Sequence, residues 1–206
     1  LRNLLRAPRR TVLTALGVGA AITALVAVLG MLDSFERAID RGAAEVTRGD
    51  PERVTVVLDG FHSTDSAIVS DIAGAPEVGA ADPTLRIPAT VTTAGAAITA
   101  PNTEIDIELV VELLDFDSAL WTPTIVAGSG RAGATPDGLV LAEKAARDLG
   151  VAPGDTVALT HPQRTGLGFA MVESRVVVAA IHPNPIRNFA FLDASFADDF
   201  GLDGLA

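Results

Sequence analysis

Cysteine and tyrosine are absent from this 206-residue chain, and it holds one tryptophan and one lysine. The absence of cysteine excludes a disulfide framework, a cysteine-ligated zinc site and a cysteine nucleophile. Basic residues are also scarce, since 15 Lys and Arg stand against 26 Asp and Glu for a net charge of -11. A nucleic-acid-binding protein needs a basic surface, so the sequence predicts no nucleic-acid partner.

Charge is missing altogether from the 22 residues between Arg10 and Asp33. As an α-helix this run is about 33 Å long, which is enough to cross a hydrocarbon core of about 30 Å. Eleven of its residues are Leu, Val, Ile or Met, and they favour insertion by roughly 3–6 kcal/mol. We therefore predict a transmembrane helix over residues 11–32. A cleaved signal peptide and a buried helix of a soluble protein are the alternatives.

The charges on the two sides of this run predict its orientation. The first ten residues hold four arginines and no acid, whereas acids follow the run closely. The arginines are Arg2, Arg6, Arg9 and Arg10. By the positive-inside rule, residues 1–10 lie in the cytoplasm and residues 33–206, with a net charge of -15, lie outside a cell membrane.

The first ten residues alternate leucine with arginine, which predicts a short basic amphipathic helix on the membrane surface. Pro8 is expected to bend it into the membrane helix. Since the chain begins with Leu1, we interpret it as a piece of a longer polypeptide or a chain trimmed at its start.

Small residues in the membrane run recur at a spacing of four. The pairs Gly17/Ala21 and Ala20/Ala24 have the separation that lets a second helix approach closely. A lipid-facing helix that is merely rich in alanine is the alternative.

Short strands interleave with short helices after residue 33, which predicts an α+β fold. The predicted helices cover 33–49, a segment capped by Ser63–Asp65 and ended at Gly74, residues 143–149 and residues 194–200. The predicted strands cover 54–58, 84–93, 104–111, 138–142, 155–160, 172–181 and 189–192. Pro88 places strand 84–93 at an edge of the sheet, because proline cannot donate to the ladder.

A turn is predicted at Pro153-Gly154-Asp155. Proline presets φ at the second position of a type II turn, and glycine supplies the positive φ at the third. Asp155 is then expected to bond the local backbone rather than a ligand.

Two stretches carry a family resemblance. Residues 2–11, Arg-Asn-Leu-Leu-Arg-Ala-Pro-Arg-Arg-Thr, run into the small-residue-rich apolar segment. Residues 139–159 read Leu-Val-Leu-Ala-Glu-Lys-Ala-Ala-Arg-Asp-Leu-Gly-Val-Ala-Pro-Gly-Asp-Thr-Val-Ala-Leu, and a strand is predicted next at 176–181. In this order they resemble the first membrane helix and the late extracytoplasmic part of FtsX/MacB-like ABC transporter permeases. Residues 50–137 match that family only in pattern.

The resemblance implies a non-catalytic permease subunit whose outer part is a MacB-like periplasmic core domain. That domain would couple ATP-driven motion to substrate export or to an extracytoplasmic partner. The implied partners are an ABC ATPase, the remaining permease helices or a second permease copy or repeat, membrane lipid, and an extracytoplasmic protein or lipid substrate. No second apolar run precedes Ala206, so we interpret the chain as a permease fragment, with its outer domain incomplete at the C-terminal end, or as a truncated relative.

No catalytic, cofactor-binding or metal-binding residue is assigned from the sequence. Residues 128–133 match G-x-G-x-x-G, but the Ala-Thr-Pro-Asp-Gly that follows breaks the helix that a dinucleotide fold needs. The only lysine, Lys144, stands outside any P-loop pattern, so ATP hydrolysis is assigned to a partner.

Other polar and aromatic residues are given structural interpretations. The three histidines, His62, His161 and His182, are far apart in sequence. Glu104, Asp106 and Glu108 would share one strand face, which is expected to be solvated rather than to bind Ca²⁺. Trp121 with Phe116 and Leu120 is expected to form a local core cluster rather than a recognition patch.

Two further functions stay open beside the permease. One is a single-span, membrane-anchored binding or adhesion module without a transport role. The other is an anchored hydrolase, against which the missing G-x-S-x-G motif and the absence of paired carboxylates count.

Overall fold

A computed structural model of the chain describes residues 8–47, 53–93, 105–130 and 135–206. The chain divides between Arg41 and Gly42 into two compact units. Residues 1–7, most of the predicted amphipathic segment, lie outside the described residues, as does the predicted bend that would join them to the helix.

One helix, α1 (Pro8–Thr47), joins the predicted membrane run to the helix predicted after it. Pro8 occupies the first helical position, where its missing N–H removes no intrahelical bond. An 18-residue window within Val12–Arg37 has a mean hydropathy of 2.4, and none of the side chains of that segment is buried within the protein. It is long and apolar enough to span a membrane. The alternative of a buried helix is therefore wrong.

The second unit is a six-stranded barrel with short helices. In spatial order its strands are β1, β2, β7, β4, β6 and β5, and β5 pairs with β1 again to close the sheet. The strands are β1 (Leu85–Thr93), β2 (Ile107–Leu114), β3 (Ala127–Gly128), β4 (Leu139–Ala142), β5 (Thr156–Thr165), β6 (Gly168–His182) and β7 (Phe189–Asp193). The helices are α2 (Ala67–Ala73), α3 (Glu143–Leu149) and α4 (Phe196–Asp199).

Closure depends on β6, which changes partners along its length. Its first ten residues pair antiparallel with β5, and four of its last five, Val178 and residues 180–182, pair parallel with β4. The two-residue strand β3 adds to β6 at Ala180 and Ile181. In the closed order β6 lies between β4 and β5, and its 15 residues let it extend beyond the end of each of these two ladders.

Alternating side chains from the six strands fill the barrel. On β1, Leu85, Ile87, Ala89 and Val91 are buried while the residues between them are more exposed, as a period of two requires. Two further segments join the same core. They contribute Ala145, Ala146 and Leu149 of α3, and Phe200 and Leu202 from the C-terminal segment.

The α+β class is confirmed, but the description as a mixed domain of short strands and helices is too loose. The strands form one closed sheet, and β5 and β6 are ten and 15 residues long. The predicted strand 54–58 is wrong, because this segment forms no ladder with any described strand. Its β-branched residues satisfy the local pattern, but a strand also needs an edge to pair with.

The prediction that β1 lies at an edge is also wrong, since it pairs with both β2 and β5. Pro88 is opposite Val110, whose N–H donates to Asn188 O, away from β1. The Pro88 nitrogen therefore points toward the β5 side, where pairing begins only at Thr90. Proline is tolerated here because this part of β1 has no ladder to donate to.

The predicted cap of the first short helix is displaced. Helix α2 begins after Ser66, and the Ser63 hydroxyl instead accepts a hydrogen bond from Asp65 N–H. The backbone of Ser63 and Thr64 instead pairs with residues 204–205 near the C-terminus.

The segment from β4 to β5 follows the prediction closely. Gly150 ends α3 in the left-handed conformation with φ of 68°. Asp155 N–H donates to Ala152 O at 3.0 Å, and φ of Gly154 is 100°, as a type II turn requires. The Asp155 carboxylate accepts a bond from Ala152 N–H at 2.8 Å, so it serves the local backbone.

Replacing Gly154 by valine should lower the stability of the barrel by about 1–3 kcal/mol, because a β-branched residue is strained at positive φ. No other atom lies within 4 Å of the added Cβ, so strain alone drives the change. Thermal unfolding of the full chain measures it. Gly79→Val is the control, since Gly79 is equally open without a positive φ. Equal melting temperatures for the two variants would contradict the turn assignment.

Candidate functional site

A shallow, open depression, which we call the groove, lies on the exposed apolar face of α1 where several side chains are small. Its lining residues are Val12, Ala15, Leu16, Gly19, Ala20 and Thr23. Only Ala20 of the predicted small pairs borders it. Ala15, Gly19 and Thr23 share the four-residue spacing that favours close helix packing, a signal that the sequence contained and the prediction missed.

His161 lies inside the barrel on β5 and is 1% exposed. Its Nδ1–H donates to Pro162 O at 3.1 Å, which leaves Nε2 to accept from the Ser174 hydroxyl at 2.9 Å. The ring of Phe200 stacks on the imidazole, with ring centroids 3.7 Å apart. Burial lowers the pKa of His161 below its ordinary value of 6.5, although the hydrogen bond to Pro162 opposes the shift. The ring is therefore held neutral.

A serine hydroxyl bonded to a histidine is also the geometry of a nucleophile and its base. Here Phe200 covers the imidazole, and Nδ1 faces a backbone carbonyl rather than an orienting carboxylate. The His161–Ser174 contact is therefore a satisfied polar pair of the core.

The other two histidines have separate partners. His182 is buried on β6, where Nε2–H donates to Phe189 O and Nδ1 accepts from Asn184 N–H. His62 bonds the Asp59 carboxylate at 2.9 Å, and this bond lowers the pKa of that carboxyl. No group of three His, Asp or Glu side chains is placed to hold a metal ion within the described parts of the chain.

The predicted acidic strand face is only partly within the described residues, because Glu104 lies outside them. Asp106 and Glu108 are exposed, and Glu108 faces outward between buried Ile107 and Leu109. Further along the same face, Glu112 pairs with Arg86 on β1 at 3.1 Å. This arrangement fits a solvated strand face.

Trp121 and Phe116 cover a small apolar cluster on the outside of the barrel. They pack with Ile125 on a cluster of buried residues, which are Leu114, Val140, Ala180 and Phe191. Trp121 meets Phe191 edge to face, with centroids 5.8 Å apart, and Arg53 lies 4.7 Å above its ring. The interpretation as a local core cluster is confirmed for these two aromatic residues, whereas Leu120 is half-buried outside it.

The first glycine of the G-x-G-x-x-G motif, Gly128, has a role in packing. Gly128 ends β3 with φ of 88°, and a Cβ there would lie 2.3 Å from Ala179 O. Glycine is therefore required at this position by the close approach of β6. Residues 131–133 of the motif lie outside the described residues. Lys144 pairs with Asp148 on α3 at 2.8 Å.

An exposed apolar surface at the end of the β5–β6 hairpin was not predicted. We call it the tip surface and define it as Phe61, Leu167, Phe169 and Met171. Leu167 is fully exposed, and the other three are between 44% and 56% exposed. Phe61 and Phe169 pack together, with ring centroids 5.5 Å apart. The alternation of Leu167, Phe169 and Met171 in an uncharged stretch was the available signal.

Acid should destabilise the protein through His161. In the unfolded chain this residue takes up a proton near pH 6.5, whereas in the fold its pKa is lower. The unfolded state thus binds more protons below about pH 6.5, so stability falls as pH falls from there toward the lowered folded pKa. His161→Gln should lose about 1–3 kcal/mol at pH 7 and flatten this dependence.

Denaturant unfolding of the full chain at pH 7.5 and 5.5 would measure this effect. His62→Gln serves as the control, because His62 lies at the protein surface beside Asp59. A pH dependence that is unchanged in His161→Gln would contradict the assignment.

No protein-family model matches this chain, and no curated protein matches its sequence. A functional proposal therefore rests on three features of the chain itself. They are an exposed apolar helix, a closed barrel whose buried histidines are hydrogen-bonded, and an apolar hairpin tip.

Proposed function

We propose that this chain is a permease subunit of an ABC transporter of the FtsX/MacB type. In this proposal α1 crosses the cell membrane with the N-terminus in the cytoplasm, and the barrel is the extracytoplasmic domain. The chain itself is non-catalytic, and a partner ATPase supplies the energy. The observation that carries the proposal is the order of its parts, a fully exposed apolar helix followed by a barrel unit whose early and late segments pair with each other.

An early and a late segment of the barrel unit, residues 62–64 and 204–206, are joined by backbone hydrogen bonds. His62 N–H donates to Ala206 O at 3.0 Å, and Ala206 N–H donates to His62 O at 2.8 Å. Thr64 N–H donates to Gly204 O at 2.9 Å. A domain whose early and late segments lie side by side is suited to insertion between two consecutive membrane helices.

The segment that carries the family resemblance adds support. Residues 139–159 form β4, α3, the Pro153-Gly154-Asp155 turn and the first part of β5. Strand β6 follows, and its backbone bonds to the turn through Gly154 N–H to Val178 O and Val178 N–H to Asp155 O, both at 2.8 Å. This is the succession of strand, helix, turn and strands that the resemblance implied.

A single-span anchored binding module is the competing function. It is favoured by the fact that α1 is the one candidate membrane span among the described residues. The two functions differ in what must contact α1. A permease unit needs further helices packed against it, whereas a simple anchor needs only lipid.

The groove on α1 provides the test. A tagged copy of the protein, purified from membranes of its native cell in mild detergent, should bring with it an ATPase subunit and vanadate-sensitive ATP hydrolysis. Gly19→Leu should abolish both, because leucine fills the groove where a second helix would approach. A Cβ at Gly19 would have no atom within 4 Å apart from the helix's own nearby backbone, so α1 should remain intact.

Val18→Leu is the matched control, since this neighbouring position lies outside the groove. It should retain the ATPase. Absence of any co-purifying ATPase from the unaltered protein would instead favour the anchored module.

Orientation is tested separately with single cysteines, because the chain has none of its own. Ser70→Cys on α2 is exposed and should react with a membrane-impermeant maleimide on intact cells. Asn3→Cys, in the basic N-terminal segment, should react only after lysis. The opposite pattern would place the barrel in the cytoplasm.

A further inference from the structure

The hairpin formed by β5 and β6 extends beyond the strands beside it. Strand β1 pairs with β5 only as far as Thr160, and β4 pairs with β6 only from Val178 onward. The β5–β6 ladder nevertheless continues from the His161–Val172 pair to the Thr165–Gly168 pair. Among the strands of the described residues, none therefore borders the hairpin end on either side.

One face of this hairpin end is apolar. Cross-strand partners share a face, so the pairs Arg164–Phe169 and Pro162–Met171 lie together. Phe61 packs on Phe169 and widens this face, and Leu167 projects fully exposed from the turn. Exposed apolar residues that are contiguous in this way mark an interaction site, whereas single ones do not.

The charge of the hairpin end differs from that of the unit that carries it. Residues 33–206 have a net charge of -15, but Pro162–Val172 contain no acid and one base, Arg164. The nearest acid beside Phe61, Asp59, is bonded to His62. An apolar tip with a cation behind it is suited to an anionic lipid surface, which binds both apolar area and basic charge.

We propose that the tip surface inserts into the interfacial layer of the lipid bilayer in which the protein is anchored. Leu167, Phe169 and Met171 enter the boundary between headgroups and acyl chains, and Arg164 meets the lipid phosphates. The inference rests on the membrane anchoring that forms part of the proposed function, and it is independent of any transport role.

Site-specific fluorescence on the full 206-residue chain tests this inference. Leu167→Cys carries an environment-sensitive NBD probe, and the protein is placed in phosphatidylcholine–phosphatidylglycerol nanodiscs with one chain per disc. Val177→Cys is the matched control, because Val177 is an exposed apolar residue of β6, the strand that follows Leu167. It lies ten residues from Leu167, ~33 Å along an extended strand.

The Leu167 probe should emit at a shorter wavelength than the Val177 probe and be several-fold less quenched by iodide. Nitroxide-bearing lipids should quench the Leu167 probe and leave the Val177 probe unchanged. Arg164→Glu should weaken the lipid quenching at Leu167, whereas Arg175→Glu, an exposed charge further along β6, should not. Equal iodide access at the two positions, without nitroxide quenching, would overturn the proposal.

Two further outcomes are distinguishable. Protection of the Leu167 probe that appears only with two chains per disc, and without nitroxide quenching, would assign the tip to a second copy and also overturn the proposal. A probe at Leu25→Cys within α1 reports the anchor itself. Nitroxide quenching at Leu25 but not at Leu167 refutes the hairpin contact alone, and its absence at Leu25 refutes the anchoring.

Discussion

The pairing of β6 with two different strands is the interaction on which the second unit depends. Its antiparallel ladder with β5 and its parallel ladder with β4 turn a series of strands into a closed sheet. Without the β5 ladder, β5 would be held only by four residue pairs with β1. The interior positions of β5, Val157, Leu159 and His161, would then lose one wall of the core.

Closure also explains why a polar pair is acceptable inside the barrel. His161 and Ser174 lie on neighbouring strands, and each imidazole nitrogen has a partner within hydrogen-bonding distance. A buried polar group costs little when it is bonded and much when it is not. Phe200 completes the arrangement by covering the ring, so the C-terminal segment belongs to the core rather than to the surface.

Among the described residues, α1 and the tip surface are apolar surfaces that this packing leaves uncovered, and lipid or membrane-embedded partners are what we propose for them. The interior of the barrel offers no comparable site, because its side chains fill it and its histidines are engaged by neighbours. In the proposed function the barrel would transmit motion, and its contacts would lie at its exposed surfaces. A simpler anchored module would use the same exposed surfaces for binding alone.

The sequence was sufficient to predict the structure wherever residues close together in the chain decide the conformation. The uncharged run of 22 residues, the αL cap at Gly150 and the type II turn at Gly154 could all be predicted from the sequence. In each case the deciding energy lies in backbone conformation or side-chain hydropathy within a few residues. Six of the seven predicted strands after residue 33 correspond to strands of the structure for the same reason, since alternation and β-branched residues are local signals.

Tertiary structure decided which of these segments find a partner. Val54–Leu58 has strand composition but no ladder, whereas β1 accommodates Pro88 within a closed sheet because β5 pairs only with its far end. The barrel itself, the stacking of Phe200 on His161 and the tip surface all depend on contacts between residues far apart in sequence. Local composition determines that a segment is extended or helical. Hydrogen-bond partners and covering side chains from distant segments determine where it lies and what it leaves exposed.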